Sequence, residues 1–228
     1  MSIKHELIAK GEITDPSSPR GKLLASAVHL FRERGFARTT VRDLARAAGM
    51  LSGSIFHHFR SKEEILATVM REAIVLTLAQ MKALLAQSAT PQARLRVLVR
   101  CELQAINGET GEAMSVLVHE WRSLSADGQQ AILELRDEYE GLWLSVLGEA
   151  RAAGLVEQDP FILRRLIVGA LGWTVHWFHP GRDLTLDDLA EEVVRLVLPG
   201  ASAASRRRPR RLSPAAERSS ASRPGESR

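Results

Sequence analysis

Residues 39–64 read TTVRDLARAAGMLSGSIFHHFRSKEE, and the spacing of apolar and turn residues within this stretch decides the fold. Apolar residues repeat at helical spacing on both sides of a glycine: Val41, Leu44, Ala45 and Ala48 before Gly49, and Ile55 and Phe59 after it. Thr40 can cap the first of these short helices, and Gly49 favours the turn that ends it. The pattern predicts a helix-turn-helix, which inserts its second helix, here over residues 51–59, into the major groove of DNA. The same geometry also occurs as a plain structural corner.

Helical periodicity continues on both sides of the helix-turn-helix. A first helix is predicted over residues 20–35, because apolar residues recur every four positions and Gly35 is a natural stop. The sequence Ser-Lys-Glu-Glu at 61–64 can form a capping box that starts a long fourth helix. Further helices are predicted over 91–106, 111–123, 126–153, 160–178 and 186–198. No alternating run is long enough for a strand, so the predicted fold class is all-α.

Charge divides the chain into regions of opposite sign. Residues 20–62, the predicted helix-turn-helix domain, carry a net charge of +7, and residues 63–198, the predicted helical body, carry −8. Residues 1–19 are predicted to be a flexible arm with a net charge of −1, and residues 199–228 a disordered basic tail with +6. A basic block beside an acidic body indicates a partner with many phosphates, although charge alone does not distinguish DNA from RNA or an anionic membrane.

Composition also indicates the expected cellular location of the protein. Its single cysteine, Cys101, cannot form an internal disulfide, and its N-terminus lacks the apolar segment of a secretory signal, so a cytoplasmic location is expected. The most apolar segment, residues 161–178, is interrupted by Arg164, Arg165 and His176. This segment is therefore too short and too charged to cross a bilayer, and no membrane partner is predicted.

An enzyme is the competing class of function, and it finds little support. The sequence has no Gly-x-Ser-x-Gly elbow, phosphate-binding loop or zinc motif, and Cys101 has no histidine committed to it. His176 and His179 have a spacing that permits metal ligation, but no carboxylate or cysteine cluster accompanies them in the sequence. We therefore predict no enzyme, no cofactor and no metal site. A ligand-binding or scaffold protein without DNA binding is the third class, which a gel shift separates from the other two.

The helix-turn-helix stretch closely resembles the signature of the TetR family of transcriptional regulators. The resemblance rests on four segments in one register, residues 39–45, 48–50, 53–59 and 61–64. It implies a set of DNA-binding residues, in which Thr40 and Arg42 hold the first short helix on phosphates, Ser52, Gly53 and Ser54 lie nearest the base edges, and His57, His58 and Lys62 bind the flanking backbone. Phe56 completes the set.

Three residues of this stretch depart from the family pattern. Phe56 stands where the family usually has a tyrosine whose phenol contacts a phosphate, so that contact should be missing. Leu51 occupies the usual cap position and Ser52 replaces a frequent lysine. Readout is therefore expected from short hydroxyls and close backbone approach rather than from a long bidentate side chain, and the operator sequence cannot be derived from the chain.

The resemblance also implies the role of the second half of the chain. In the TetR family the C-terminal helices enclose an inducer pocket, and the last two long helices pair with those of a second subunit. Residues 63–198 are therefore expected to form a helical-bundle ligand-binding and dimerisation domain. The helix predicted over 160–178 is apolar on nearly every side, and that over 186–198 carries a seam suited to packing, between subunits or within one. The implied partners are double-stranded operator DNA and a second copy of the chain.

Tryptophans on several predicted helices mark the candidate ligand pocket. The ligand-binding candidates are Met114, Trp121, Arg122, Trp143, Trp173 and Trp177, with Trp173 foremost. Tryptophans on separate helices line either a core or a pocket, and the sequence does not decide between the two. Residues 117–124 and 173–181 further resemble the branch of the TetR family that includes steroid- and fatty-acid-catabolism repressors responding to CoA thioesters. This narrower resemblance implies a repressor released from its operator by a small apolar ligand, with an acyl-CoA thioester as the candidate.

Overall fold

A computed structural model describes residues 2–179 and 184–198 of the chain. Within these ranges all regular structure is helical, which confirms the predicted all-α class. The α-helices are α1 (Ile3–Ala9), α2 (Pro19–Arg34), α3 (Val41–Ala47), α4 (Lys62–Leu85), α5 (Pro91–Asn107), α6 (Gly111–His119), α7 (Ala126–Ala152), α8 (Pro160–Gly172) and α9 (Leu186–Val197). Short 3₁₀ helices occupy Ser52–His57, Trp121–Ser123 and Trp173–His176. The predicted basic tail over 199–228 lies outside the described residues. None of the described helices has both the length and the apolar character needed to cross a bilayer.

The first domain packs as the predicted three-helix unit, made of α2, α3 and the 3₁₀ helix Ser52–His57, with the start of α4 beneath it. Its core consists of Leu23, Phe31, Leu44, Ile55 and Phe59, each at most 2% exposed. Thr40 caps α3 through a reciprocal box, because its hydroxyl accepts from the Asp43 N–H at 3.2 Å while the Asp43 carboxylate accepts from the Thr40 N–H at 3.0 Å. Gly49 then reverses the chain with a φ of 66°, a conformation that glycine adopts without strain.

The second helix of the helix-turn-helix is a six-residue 3₁₀ helix, whereas a helix was predicted over residues 51–59. Leu51 stands at its N-cap position and provides no side-chain cap. The next three residues are serine, glycine and serine, types with low helix propensity. A short, uncapped segment of such residues gains little from α-helical hydrogen bonds, so the tighter i to i+3 turn is adopted.

Ser61 begins α4 as predicted, but the second half of the capping box has a different partner. The Ser61 hydroxyl accepts from the Glu64 N–H at 3.2 Å. The Glu64 carboxylate accepts from the Arg60 N–H at 2.6 Å, one residue before the cap. This carboxylate therefore ties the start of α4 to the segment that follows the 3₁₀ helix.

The prediction of a flexible arm over residues 1–19 is wrong for the part that the structure describes. The helix α1 packs against α4 and buries Leu7, and Ile13 is buried beyond it. The Thr14 hydroxyl adds a hydrogen bond of 2.8 Å to the Glu72 carboxylate on α4. A helix of seven residues is marginal on its own, so packing against α4 stabilises it. Because the segment is so short, its apolar residues form no clear periodic pattern, and the sequence alone did not predict the helix.

The second domain is arranged around α5, which contacts α4, α6, α7, α8 and α9. Two helices are shorter than predicted, since α6 ends at His119 and α8 ends at Gly172. Thr174 fixes the end of α8, because its hydroxyl donates to the Leu171 carbonyl at 2.6 Å and accepts from the Asn107 amide of α5 at 2.8 Å. The 3₁₀ turn after α8 is thereby held on α5.

We expect Leu7→Ala to lower the free energy of unfolding by about 1 to 3 kcal/mol, because this buried side chain holds α1 on α4. His5→Ala, at an exposed position of the same helix, is the matched control and should change it little. Urea unfolding of both variants measures the difference. An unchanged midpoint for Leu7→Ala would show that α1 does not stay docked in solution.

Candidate functional site

The DNA-binding candidates lie mostly on the solvent side of the first domain. Thr40, Arg42, Ser52, Gly53, Phe56 and His57 are exposed, and Ser54 and His58 are half-buried. Leu44 and Ile55, which lie between these candidates in the sequence, are buried in the core. Exposed arginines accompany the candidates at positions 38, 42, 46 and 60. The domain therefore presents cations and the 3₁₀ helix to solvent together, as contact with a polyanion requires.

Gly53 is a candidate whose identity the protein interior does not explain. A Cβ built at this position would meet no atom within 4 Å, and its φ is outside the left-handed region. Gly49, by contrast, has a φ of 66° and is required by the turn. Within the described residues, no contact and no backbone angle requires a glycine at position 53. A glycine does allow the backbone to approach an external surface closely.

Lys62 differs from the other candidates because its ammonium is bound within the fold. Its Nζ donates to the carbonyl oxygens of Phe36 and Thr39 at 2.8 and 2.9 Å. The same atom lies 4.0 Å from the centre of the Phe36 ring, a cation–π contact. Lys62 therefore joins the start of α4 to the segment between α2 and α3, and this engagement competes with the phosphate contact that the resemblance implied.

Two carboxylates, one on α6 and one directly after it, connect the second domain to the first. Glu120, directly after α6, accepts from the Phe36 N–H at 3.0 Å. Glu112 pairs with Arg32 of α2 at 2.9 Å. The peptide groups around Phe36 are thus held from two sides, by Glu120 at the N–H and by Lys62 at the carbonyl. A displacement of α6 or α4 would therefore shift Phe36 and the segment that leads into α3.

The structure does not bring the ligand candidates together in one place. Trp143 on α7 is fully buried, whereas Trp173 and Trp177, which follow α8, are 64% and 46% exposed. The remaining candidates differ again: Met114 and Trp121 are half-buried and Arg122 is exposed. Trp143 therefore packs as a core residue, and Trp173 and Trp177 belong to the outer surface of the subunit.

Two cavities among the described residues lie away from these tryptophans. One, of about 330 Å³, lies between the domains and is lined by the N-terminal segment, α2 and α4, with Thr14 and Glu112 at its edge. A groove of about 520 Å³ lies between α8 and α9, with Leu166 and Leu196 in its lining. Neither lining includes a tryptophan. Among the described residues, no three His, Cys, Asp or Glu side chains are grouped so that they could bind a metal ion.

Sequence reasoning missed a buried acid in the second domain. Glu102 is 4% exposed, and its carboxylate accepts from the Tyr139 hydroxyl. Burial raises the pKa of Glu102, against the opposing effect of that hydrogen bond, and burial also raises the pKa of Tyr139. A signal was present, since Glu102 lies seven residues after Leu95 on the buried stripe of α5, where an unpaired charge would be costly.

A helix-turn-helix domain of net charge +7, joined through α4 and α6 to an all-helical second domain, defines a DNA-binding transcriptional regulator. Residues 23–69 match the family described as bacterial regulatory proteins, tetR family, and residues 88–201 match the tetracyclin repressor-like C-terminal domain. The chain belongs to the TetR family, and it is a transcriptional regulator rather than an enzyme.

Proteins of known sequence or structure are similar to this one over most of the chain. The HTH-type transcriptional repressor KstR2 of Rhodococcus jostii (strain RHA1) is 34% identical over 81% of this chain and 91% of its own length. A crystal structure described as superantigen pfit is 55% identical, with a TM-score of 0.77 over 86% of this chain and 97% of that one. The crystal structure of AibR in complex with isovaleryl coenzyme A and operator DNA is 23% identical, with a TM-score of 0.71 over 80% of this chain and 99% of that one. At this identity, AibR shows a shared fold.

Arg42→Ala and Lys62→Ala should separate phosphate binding from folding. Arg42→Ala is expected to weaken binding to all DNA sequences alike and to reduce the slope of log K against log salt by about 1, because one phosphate contact is lost. Lys62→Ala should keep the slope but lower the free energy of unfolding by about 1 to 3 kcal/mol, because two carbonyls lose their donor. Gel-shift titrations at several salt concentrations and thermal melts measure both quantities. A larger loss of slope in Lys62→Ala than in Arg42→Ala would place the Lys62 ammonium on a phosphate.

Proposed function

We propose that the chain is a repressor that binds a two-fold symmetric operator as a homodimer and leaves it when a mostly apolar ligand binds. The observation that carries the proposal is the exposed, arginine-flanked 3₁₀ helix of a TetR-family helix-turn-helix, linked directly to α4. A gel shift of the full chain on the DNA upstream of its own and neighbouring genes tests DNA binding. Bacterial DNA lies in the cytoplasm, so we propose that this regulator is cytoplasmic.

On the operator, we assign the candidates of the first domain to different parts of the DNA. Arg42 binds a phosphate, and His57 and His58 contact the flanking backbone. The segment Ser52–Ser54 lies nearest the base edges, where Gly53 permits close approach. The Thr40 hydroxyl is engaged with Asp43, so its contribution is to fix the start of α3 against the phosphates. These assignments follow the division of labour in which phosphate contacts position a protein and base contacts specify the sequence.

The dimer interface that we propose is an exposed apolar face formed by α8, the turn after it and α9. Its large apolar side chains, each at least 46% exposed, are Phe161, Ile162, Leu166, Trp173, Val175, Trp177 and Leu196. Leu166 and Leu196 line the same groove, so α8 and α9 contribute to one surface. Monomeric soluble proteins rarely expose a large apolar patch. A second copy is the fitting occupant, because one short reading helix covers few base pairs and two-fold symmetry doubles the site.

The seam predicted along residues 186–198 contributes less to this face than the sequence suggested. Leu189 is 7% exposed and is buried within its own subunit, where α9 packs on α5. Leu196, by contrast, is 82% exposed. The helix α9 therefore uses most of its apolar stripe within the subunit, and α8 together with the turn after it supplies most of the exposed surface.

Replacing Leu166 and Leu196 together with Glu should yield monomers, because two charges would be buried in the proposed interface. Val118→Glu is the matched control, since Val118 is 73% exposed on α6, away from this face. Size-exclusion chromatography with light scattering measures the mass, and gel shifts measure the affinity. Monomers that retained full operator affinity would contradict the symmetric operator.

The proposed ligand is an acyl-CoA thioester. The solved AibR structure holds isovaleryl coenzyme A together with operator DNA, and the solved KstR2 of Mycobacterium tuberculosis is described as a ketosteroid transcriptional regulator. In this chain, we place the ligand in the second domain, which matches the tetracyclin repressor-like C-terminal domain. Trp173 follows α8, and exposed Arg122 and Arg165 are the candidates to meet the phosphates of the CoA group.

Release from DNA requires that the ligand bind better to a state in which the two reading helices no longer match successive major grooves, about 34 Å apart. Two connections can transmit a conformational change in the second domain to the reading helices. The helix α4 starts at Lys62, five residues after the 3₁₀ helix ends at His57, and runs into the second domain. Glu120 of the second domain holds the Phe36 N–H. A coupling free energy of about 1 to 3 kcal/mol corresponds to a loss of operator affinity of roughly 5- to 150-fold.

Trp173→Ala should abolish the response to acyl-CoA while the variant still folds and binds the operator, because the side chain is 64% exposed in the subunit and the other six apolar residues of the proposed interface remain. Trp143→Ala is the contrasting variant, since loss of a fully buried tryptophan costs about 3 to 5 kcal/mol and should damage stability and binding alike. Operator titrations with acyl-CoA thioesters of several chain lengths, thermal melts and a check of the dimer mass measure these effects. Unchanged induction in a stable Trp173→Ala dimer would remove Trp173 from the ligand site.

A further inference from the structure

Two large apolar side chains remain exposed at the 3₁₀ helix of the first domain. Leu51 keeps 80% of its surface exposed and Phe56 keeps 58%. The neighbouring apolar residues Ile55 and Phe59 are buried. Two such residues within six positions of the element that we place on DNA offer apolar contacts to whatever that element binds.

The two exposed side chains occupy different positions on this element. Leu51 is the N-cap residue, with extended backbone, directly before Ser52. Within the helix three residues make one turn, so side chains at i and i+3 align and Phe56 aligns with Gly53. The position of a Cβ on Gly53 has no atom within 4 Å, so the face above Phe56 is open. Leu51 therefore has a short hydroxyl beside it and Phe56 has bare backbone, while Ile55 between them is buried in the core.

The chemistry of these positions differs from that of the usual base-reading side chains. The polar side chains between residues 51 and 56 are Ser52 and Ser54, and no arginine, lysine, asparagine or glutamine stands among them. Paired hydrogen bonds to one base, which such long side chains make, are therefore not available here. In the major groove, the apolar feature that distinguishes a base is the C5-methyl group of thymine.

We infer that Leu51 and Phe56 contact thymine methyl groups and thereby select thymine at two positions of each operator half-site. The inference rests on the DNA binding proposed above, and it adds which base two of the contacting residues select. The surroundings favour DNA over an apolar protein partner, because the exposed Arg42, Arg46 and Arg60 belong to the same domain of net charge +7.

Replacement of thymine by uracil tests the inference, because it removes the methyl group and leaves every hydrogen-bonding group in place. The full chain first selects its site from a pool of randomised duplexes, and the selected duplex is resynthesised with single deoxyuridines. Wild type should lose about four-fold in affinity for each contacted methyl group. Leu51→Ala should bind the thymine and uracil duplexes equally at one position, and Phe56→Ala should do so at the other.

Val118→Ala is the matched control, because it removes an exposed apolar side chain of α6 and should discriminate as wild type does. Phe56→Leu, which keeps a smaller apolar contact, should show a reduced preference for thymine and serves where Phe56→Ala binds too weakly to measure. Equal affinity of wild type for the thymine and uracil duplexes at every position overturns the inference. Full discrimination in both alanine variants overturns it as well, because other residues would then read the methyl groups. A chain that selects no DNA at all would instead overturn the proposed function.

Discussion

The peptide groups around Phe36 are the constraint on which the arrangement of the two domains depends. The N–H of Phe36 donates to Glu120 of the second domain at 3.0 Å, and its carbonyl accepts from Lys62 at the start of α4 at 2.8 Å. Gly35, with a φ of 81°, brings the chain to this point, and a Cβ there would lie 3.3 Å from the Glu120 carboxylate. Both backbone polar groups of Phe36 are therefore bound by side chains at the start of α4 and directly after α6, which orients α3 relative to the second domain.

The two domains place apolar surface outward for different reasons. In the second domain, exposed side chains of α8, the turn after it and Leu196 of α9 form a broad face, which we propose to lie between subunits. In the first domain, Leu51 and Phe56 stand apart on a short helix among arginines, which suits a groove rather than a flat partner. The interior shows the opposite case, because Glu102 is buried with Tyr139 on the core side of α5. Burial raises the pKa of this carboxyl, because the charged form has little contact with water there.

The sequence predicted what depends on neighbouring residues and missed what depends on distant ones. Helix bounds within α2 to α5 followed from caps, glycines and periodic apolar residues, all of them local signals. The docking of α1 depends on α4, and the partners of the Lys62 ammonium lie 23 and 26 residues earlier in the chain. Local patterns could not separate Trp143, which is buried, from Trp173, which is exposed, because both stand on apolar helical segments. The position of Glu102 on a buried stripe was readable, although its partner Tyr139 was not.

The magnitudes of the contacts between the domains decide which of them can transmit a ligand signal. The Arg32–Glu112 pair has side chains 41% and 39% exposed, and an ion pair of this kind contributes about 0 to 1 kcal/mol. It is too weak alone to supply a coupling of about 1 to 3 kcal/mol. A hydrogen bond from a backbone N–H to a carboxylate contributes about 1.5 to 3 kcal/mol. The Glu120 bond to Phe36 also acts directly on the segment that leads into α3, whereas the ion pair acts on the exposed side of α2. In the proposed release from DNA, the signal therefore passes mainly through Glu120 and the continuous helix α4, and the ion pair contributes little to the coupling free energy.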